Sequence, residues 1–129
     1  MPFSPLGRGF LTGEVKRAEE YPVGDFRRGD PRYQGANFDN NMKAAAIVRD
    51  IATSINAKPG QVALAWLLVK GDNIVPIPGT KRVKYLEENL AAADIKLIAA
   101  QMKQLDEALA PSKISGPRYN PTTMKTIDR

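Results

Sequence analysis

The pattern of apolar and polar residues predicts that helices dominate this chain. Between residues 39 and 56, apolar side chains recur at three- and four-residue intervals, which places them on one face of a helix. They are Met42, Ala46, Ile47, Ile51 and Ile55. Asp39 or Asn40 stands at the start, and both residue types cap helices by accepting a hydrogen bond from a backbone N–H. We therefore predict an amphipathic helix over residues 39–56.

Two further helices follow from similar patterns. Residues 59–71 begin with Pro59 and reach Gly71, residue types that favour the first helical position and the position just past the last. Apolar side chains cover nearly the whole of this helix, so we predict that it packs on both sides, with Trp66 in the core. A shorter amphipathic helix is predicted over residues 98–110, after a brief extended segment at 94–97. Its apolar residues are Ile98, Met102, Leu105 and Leu109.

A short strand followed by a helix is predicted after residue 73. The apolar residues of the segment 74–77 lack helical spacing, and the run is long enough for a buried strand but too short for a helix. Pro78 and Gly79 end it, and a helix is predicted to begin near Thr80, which is a capping residue type. The residues predicted to face the core from this helix are Val83, Leu86 and Leu90.

The junction of this strand and helix has the chemistry of an anion site. The first N–H groups of a helix have no partner within it, and the helix dipole is positive at that end. Lys81, Arg82 and Lys84 add full positive charges. Glu88 and Asn89 lie further along, Glu88 at roughly 12 Å from Thr80, so a base of a phosphate-anchored nucleotide would come within their reach. A capped helix with a solvated basic first turn would show the same pattern.

The remaining segments are richer in glycine and proline. Phe3 and Ser4 are predicted to end a strand, and the glycines of residues 7–13 would let the following backbone approach a ligand closely. Residues 14–38 form a long loop, and such loops are usually functional or disordered. Four aromatic residues favour a folded loop: Tyr21, Phe26, Tyr33 and Phe38. The tail, residues 111–129, is predicted to be loosely held.

Composition narrows the function classes. The 129 residues allow one domain, whereas a complete eightfold βα barrel needs about 250. The chain has no cysteine and no histidine, so we expect no disulfides, no metal site, and no histidine acid or base. Its net charge of +5 is dispersed, which argues against nucleic-acid binding. We also expect no membrane span and, without a signal peptide, a cytoplasmic location.

Two separated motifs resemble the aldo-keto reductase family. Residues 4–13 read SPLGRGFLTG and residues 77–80 read IPGT, in the family's order and with a helical stretch between them. The resemblance runs over nearly all of the chain and covers the C-terminal part of the family's usual length. It implies an α/β fold, namely the C-terminal part of a (β/α)8 barrel: about the last two βα units plus a C-terminal helix and tail. Residues 1–129 would form one partial oxidoreductase domain, mostly helical on its own.

The resemblance also implies NADP(H) as cofactor and names the residues that would bind it. In the family, residues matching Ser4, Pro5, Leu6 and Gly7 touch the dinucleotide pyrophosphate, and Arg8 stands where a small residue is often found. The other implied contacts are Gly79, Thr80, Lys81, Arg82, Lys84, Glu88 and Asn89. The three basic residues among them favour NADP over NAD, because the 2′-phosphate attracts positive charge. The loop would cover the cofactor, and Tyr119 would help to wall the substrate pocket.

No catalytic residue is carried over. Aldo-keto reductases reduce aldehydes and ketones to alcohols by hydride transfer, with a tyrosine acid helped by lysine, aspartate and histidine from the early strands. The tyrosines of this chain follow no early strand, so we expect it to be the C-terminal part of a longer reductase and inactive alone. A small carbonyl compound would be the substrate of the whole protein.

Two strands cannot close a barrel, and their open edges favour self-association or pairing with another chain. Two other functions therefore stay open. One is a non-catalytic nucleotide- or anion-binding module, and the other is an interaction module that completes a barrel with a partner.

Overall fold

Helices and short 3₁₀ turns form the structure, a computed structural model that describes residues 1–127. The α-helices are α1 (Gly35–Ser54), α2 (Pro59–Val69), α3 (Val83–Leu90), α4 (Ala99–Ala108) and α5 (Pro121–Met124). The 3₁₀ turns are Gly7–Thr12, Ala18–Glu20, Phe26–Gly29, Pro31–Tyr33, Ala91–Asp94 and Pro111–Lys113. The helical predominance predicted from the sequence is confirmed. The predicted helices at 59–71 and 98–110 are found with slightly shorter bounds.

One hydrophobic cluster joins the three long helices. Val48 of α1, Val62 of α2 and Leu105 of α4 are fully buried and lie in the same cluster. Trp66 is only partly buried at the edge of this cluster, where its indole Nε1 donates to an Asp106 carboxylate oxygen at 2.7 Å. The four consecutive residues 62–65 are all buried, so α2 is covered on several sides there, as predicted. Leu68 and Val69 are exposed, and the prediction of packing on both sides is wrong for the last turn.

A second cluster fixes the loop of residues 14–38. Phe10 meets Tyr33 and Phe38 edge-on, with ring centroids 5.2 and 5.7 Å apart, and Tyr21 meets Tyr33 at 6.0 Å. All four rings are buried. Phe26, in contrast, is 51% exposed and does not belong to this cluster. The loop is therefore a series of 3₁₀ turns packed on aromatic side chains, where the sequence showed no sustained period.

Helix α1 begins four residues before the predicted start. Gln34 precedes its first turn without a side-chain cap, and Asp39 and Asn40 lie inside the helix, so neither caps it. Asn40 instead donates to the Lys113 carbonyl at 2.9 Å. Ile47 is exposed, and Val48 takes the core position next to it. Of the other predicted core residues, Ile51 is buried, and Met42 and Ile55 pack against the two clusters, so the predicted apolar face is wrong at Ile47.

The predicted strand at 74–77 is reduced to a single parallel bridge between Phe3 and Ile77 in the described chain. Val75 is 55% exposed and Ile77 is 45% exposed, so the segment is not buried. Helix α3 starts at Val83 rather than near Thr80, and Arg82 precedes it without a side-chain cap. Its apolar residues are also exposed, against the prediction: Val83, Leu86 and Leu90. A lone strand with one neighbour gives these side chains no core to enter.

The tail docks on α1. The Ser115 N–H donates to the Asn41 side chain at 2.8 Å, and the Asn41 side-chain nitrogen donates to the Ser115 carbonyl at 2.9 Å. Gly116 has φ +85°, and a Cβ there would lie 3.2 Å from the Pro31 backbone, so glycine suits this contact. Residues 128 and 129 of the predicted tail lie outside the described residues. Asp94 ends a 3₁₀ turn, so it does not begin the predicted extended segment.

Candidate cofactor cleft

Two glycine-bearing turns line one cleft of about 550 Å³. The first turn follows Phe3, the second follows Ile77, and the Phe3–Ile77 bridge holds the two chain segments side by side. The start of α2 supplies a third wall, where Gly60 lies against Leu6 and Thr12. Because the ends of parallel segments meet at one edge, the two turns reach the cleft from the same side of the structure.

The backbone of the first turn is unusual for its residue types. Ser4 and Arg8 have positive φ angles of 49° and 60°, in the left-handed region where residues other than glycine are uncommon. Gly7 and Gly9 flank Arg8 with φ 59° and 101°. The buried Tyr33 hydroxyl holds this turn by hydrogen bonds to the carbonyls of Gly7 and Arg8, at 3.1 and 3.0 Å. Burial also raises the pKa of the Tyr33 hydroxyl, so it stays protonated and bonded.

The second turn presents unbonded backbone donors. The N–H groups of Gly79, Thr80 and Lys81 donate to no acceptor within residues 1–127. The Thr80 hydroxyl oxygen accepts from the Arg82 N–H at 3.2 Å, which shapes the turn ahead of α3. Gln61 of α2 donates to the Glu88 carbonyl at 3.0 Å and so fixes α3 against α2. Three free N–H groups beside basic side chains suit a phosphate.

Nine of the twelve predicted cofactor contacts line this cleft together. They are Ser4, Pro5, Leu6, Arg8, Gly79, Thr80, Lys84, Glu88 and Asn89. Lys81 and Arg82 lie on the outer side of the second turn, in a shallow depression that also includes Thr80 and Tyr85. Gly7 faces away from the cleft, into a smaller cavity on the other side of the first turn. The structure thus brings the two motifs together and leaves these three residues at or beyond the edge.

Arg8 lies between the two cavities. Its guanidinium pairs with the buried Asp30 carboxylate and also donates to the Arg118 carbonyl at 3.3 Å. The Phe26 and Tyr119 rings sandwich it, with centroids 4.7 and 4.6 Å from Cζ. Tyr119 therefore packs on Arg8, and Arg8 ties the first turn to both the loop and the tail.

Two further cations line the cleft that the motifs did not indicate. Arg27 belongs to the loop, and Lys58 immediately precedes α2. The Arg27 guanidinium is held by Asp25 at 2.7 Å and lies 4.0 Å from the centre of the Tyr21 ring. Side-chain and backbone hydrogen bonds from Arg27 lower the pKa of Asp25 to about 2, so this pair stays charged at neutral pH. The resemblance placed the loop over the cofactor, but no sequence pattern indicated either of these two residues.

Comparison with known proteins decides the family. Residues 1–110 match the sequence profile described as the Aldo/keto reductase family, which is most of the chain. This chain belongs to the aldo-keto reductase family. The family fold is the (β/α)8 barrel, so this chain is the C-terminal part of such a barrel, as the two motifs predicted.

Three curated aldo-keto reductases are similar to it. The chain is 53% identical over 119 residues to "Aldo-keto reductase yakc (NADP(+))" of Schizosaccharomyces pombe, covering 92% of this chain and 35% of that protein. It is 43% identical over 116 residues to "Aldo-keto reductase str7" of Strobilurus tenacellus, covering 90% and 34%. It is 37% identical over 119 residues to "Probable aldo-keto reductase 1" of Glycine max, covering 92% and 34%. The chain spans about a third of the length of these relatives.

No helix within residues 1–127 is both long enough and apolar enough to cross a membrane.

Proposed function

We propose that this chain grips NADP(H) in an aldo-keto reductase that reduces aldehydes or ketones to alcohols in the cytoplasm. The single observation that carries the proposal is the cleft that both glycine-bearing turns line. Its volume of about 550 Å³ lies within the range of about 300–1,000 Å³ typical of small-molecule sites. The name of the fission-yeast relative, which contains NADP(+), supports this choice of cofactor.

The two turns would hold opposite parts of the dinucleotide. In the first turn, Ser4, Pro5 and Leu6 with Arg8 would hold the pyrophosphate, and Arg27 faces the same cleft with its positive charge. Gly7 lines the other side of this turn and would shape it without touching the pyrophosphate. The second turn would hold the 2′-phosphate through the free N–H groups of Gly79, Thr80 and Lys81 and the charges of Lys81, Arg82 and Lys84. Glu88 and Asn89 would then bind the base. A phosphate in this turn would satisfy donors that no acceptor within residues 1–127 uses.

This chain would orient the cofactor and leave proton donation to other residues. The nicotinamide supplies the hydride when it is bound. The Tyr33 hydroxyl is buried and donates to two carbonyls, and its raised pKa makes it a poorer acid. Tyr21 accepts the Lys16 N–H at 3.0 Å, and Tyr119 stacks on Arg8. These three tyrosines have structural roles, and the fourth, Tyr85, lines the cofactor cleft from α3, with its ring centre 5.9 Å from the Arg82 Cζ. We therefore expect the chain to be inactive when it is tested alone.

Replacement of Lys81 and Arg82 by alanine tests the cofactor assignment. Titration of the chain with NADPH, followed by nucleotide fluorescence, is expected to show saturable binding. The double variant should raise the NADPH dissociation constant about 10- to 100-fold, because charge-assisted hydrogen bonds contribute about 1.5–3 kcal/mol. The NADH dissociation constant should change far less, since NADH lacks the 2′-phosphate. An equal loss of affinity for NADPH and NADH would show that Lys81 and Arg82 do not bind the 2′-phosphate.

A charge-matched control separates local contact from overall charge. Arg49→Ala with Lys103→Ala removes the same two positive charges from α1 and α4. Both side chains are more than half exposed, and neither lines the cleft. Binding of NADPH by this variant should stay within about threefold of the parent at an ionic strength of about 0.15 M. Absence of any saturable NADPH binding by the parent would overturn the proposed function for this chain.

Association with another chain is a second candidate function. Val83 is 71% exposed and Leu90 is 65% exposed, and Val75, two residues before the Phe3–Ile77 bridge, is 55% exposed. Apolar residues beside an unpaired edge favour pairing with a second copy. Light scattering is expected to give a mass well above 14.1 kDa, and Leu86→Glu should restore the monomer. The matched change Val23→Glu, on the loop, should leave the mass unchanged; a monomeric parent would exclude this function.

A further inference from the structure

A second cavity, of about 260 Å³, lies behind the first turn. Its walls combine apolar rings with charge: Phe10, Tyr33 and Trp66 line it, together with three guanidinium side chains. These are Arg8, Arg32 and Arg118, and among residues 1–127 the only carboxylate in the lining is that of Asp30. The cavity therefore carries two positive charges more than its acidic group can balance.

Two of these guanidinium groups have no carboxylate partner within residues 1–127. Asp30 pairs with Arg8. The Arg32 Nε donates to the Gly116 carbonyl at 3.3 Å, and an Arg118 Nη donates to the Phe3 carbonyl at 3.2 Å. Burial lowers the pKa of the Arg32 guanidinium, the charge of Asp30 raises it, and the nearby charges of Arg118 and Arg8 lower it further. Like charges repel one another, and an anion placed between Arg32 and Arg118 would relieve that repulsion.

We propose that this cavity binds a carboxylate carried on an apolar body, with Arg32 and Arg118 as its ligands. The planar guanidinium fork matches a carboxylate in a bidentate arrangement, and the aromatic walls suit a ring or short aliphatic chain. Asp30 would compete with such a carboxylate, because it accepts the Arg32 N–H at 3.0 Å and its negative charge attracts the Arg32 guanidinium. The site is separate from the cofactor cleft and shares with it only the wall formed by the first turn, where Ser4, Pro5 and Arg8 line both.

The shared wall also indicates a substrate class, and this step rests on the proposed function. A carbonyl compound whose carboxylate lies between Arg32 and Arg118 would have its body next to the first turn. Oxo acids and aldehydes that carry a carboxylate are therefore the substrates that this cavity favours over neutral carbonyl compounds.

Calorimetric titration of the full chain with benzoate, without any nucleotide, tests the site. Benzamide is the neutral probe of the same shape. Saturable benzoate binding is expected, with benzamide weaker by about tenfold or more, because one charge-assisted contact is lost. Arg32→Met should lower the affinity for benzoate by about tenfold. Arg118→Met should have the same effect, and because Arg118 is exposed we expect this variant to fold normally. Equal affinity for benzoate and benzamide would overturn the proposal.

The direction in which a third variant changes the affinity for benzoate distinguishes a binding site from a structural role. Asp30→Asn keeps a side-chain oxygen for the Arg32 N–H, which Asp30 now accepts at 3.0 Å, but removes the competing charge. It should therefore strengthen benzoate binding, whereas a merely structural Asp30 would weaken it. Arg28→Met is the control, because Arg28 donates to the Glu19 and Tyr21 carbonyls outside the cavity. An equal loss in Arg28→Met and Arg32→Met would show attraction by overall charge and refute the site.

Two outcomes separate this inference from the proposed function. Benzoate binding without NADPH binding would keep the carboxylate site and remove the reductase assignment of the chain. NADPH binding without benzoate binding would refute the carboxylate site and leave the proposed cofactor-binding function intact. Inorganic phosphate that binds as tightly as benzoate, with the same dependence on Arg32, would contradict the role of the apolar walls.

Discussion

Replacement of Arg8 by methionine is expected to lower the free energy of unfolding by about 3 kcal/mol. The Asp30 side chain is 1% exposed, and Arg8 is its only ion-pair partner among residues 1–127. Removing one partner of a buried pair typically costs about 3–5 kcal/mol, because the other charge stays desolvated and unpaired. We expect the lower end, since Asp30 retains the Arg32 N–H at 3.0 Å. Urea denaturation followed by circular dichroism measures the change.

A double-mutant cycle identifies the cause of that loss. Asp30→Asn removes the charge that Arg8 compensates, so adding it to Arg8→Met should recover most of the stability. Asp30→Asn alone should lower the free energy of unfolding less than Arg8→Met does. The Arg8 side chain is 19% exposed, and its guanidinium stays between two aromatic rings. Simple addition of the two single effects would mean that the pair is not coupled, and the assignment of Arg8 as the link between turn, loop and tail would fail.

Replacement of Leu105 by alanine should destabilise the chain by about 3 kcal/mol, within the 2–5 kcal/mol typical of a buried leucine. Leu105 is fully buried in the cluster that joins α1, α2 and α4, where it meets Val48 and Val62. Truncation would leave a cavity that three helices cannot close without moving. The total free energy of unfolding of a small domain is about 5–15 kcal/mol, so the variant should unfold at a clearly lower temperature in a thermal melt.

Leu90→Ala is the matched control for this prediction. The same side chain is removed, but Leu90 is 65% exposed on α3, so the free energy of unfolding should fall by no more than about 0.5 kcal/mol. A large effect at Leu90 would show that α3 buries its apolar face in solution, for instance against a second copy. Comparable small effects at both positions would contradict the packing of α4 on the other two helices.

Local signals in the sequence located the elements whose stability depends on their own residues. Proline at the first position of α2, and the spacing of Leu105 in α4 and Leu109 directly after it, are local signals that predicted these two helices. The start of α1 was misplaced because its first turn lacks a side-chain cap, while Phe38 of that turn is buried in the aromatic cluster of the loop. The 3₁₀ turns of the loop could not be predicted, because residues 14–38 have no repeating pattern of apolar positions. The aromatic rings that hold these turns come together only in the folded structure.

The two glycine-bearing motifs were enough to predict the family, and nine of the twelve residues they suggested line one cleft. No sequence pattern pointed to the cations that oppose them, because Arg27 reaches the cleft only through the folded loop.

By itself, the sequence determined the helices with strong local signals and the two turns that resemble aldo-keto reductases, because propensity and periodicity act over a few neighbouring residues. Only the tertiary structure decided which faces are covered and which charges meet. Val83 and Leu90 have the spacing of core residues yet lie exposed, and Arg8 finds Asp30 across 22 positions of chain. Burial and ion pairing depend on neighbours distant in sequence, and no local pattern specifies those neighbours.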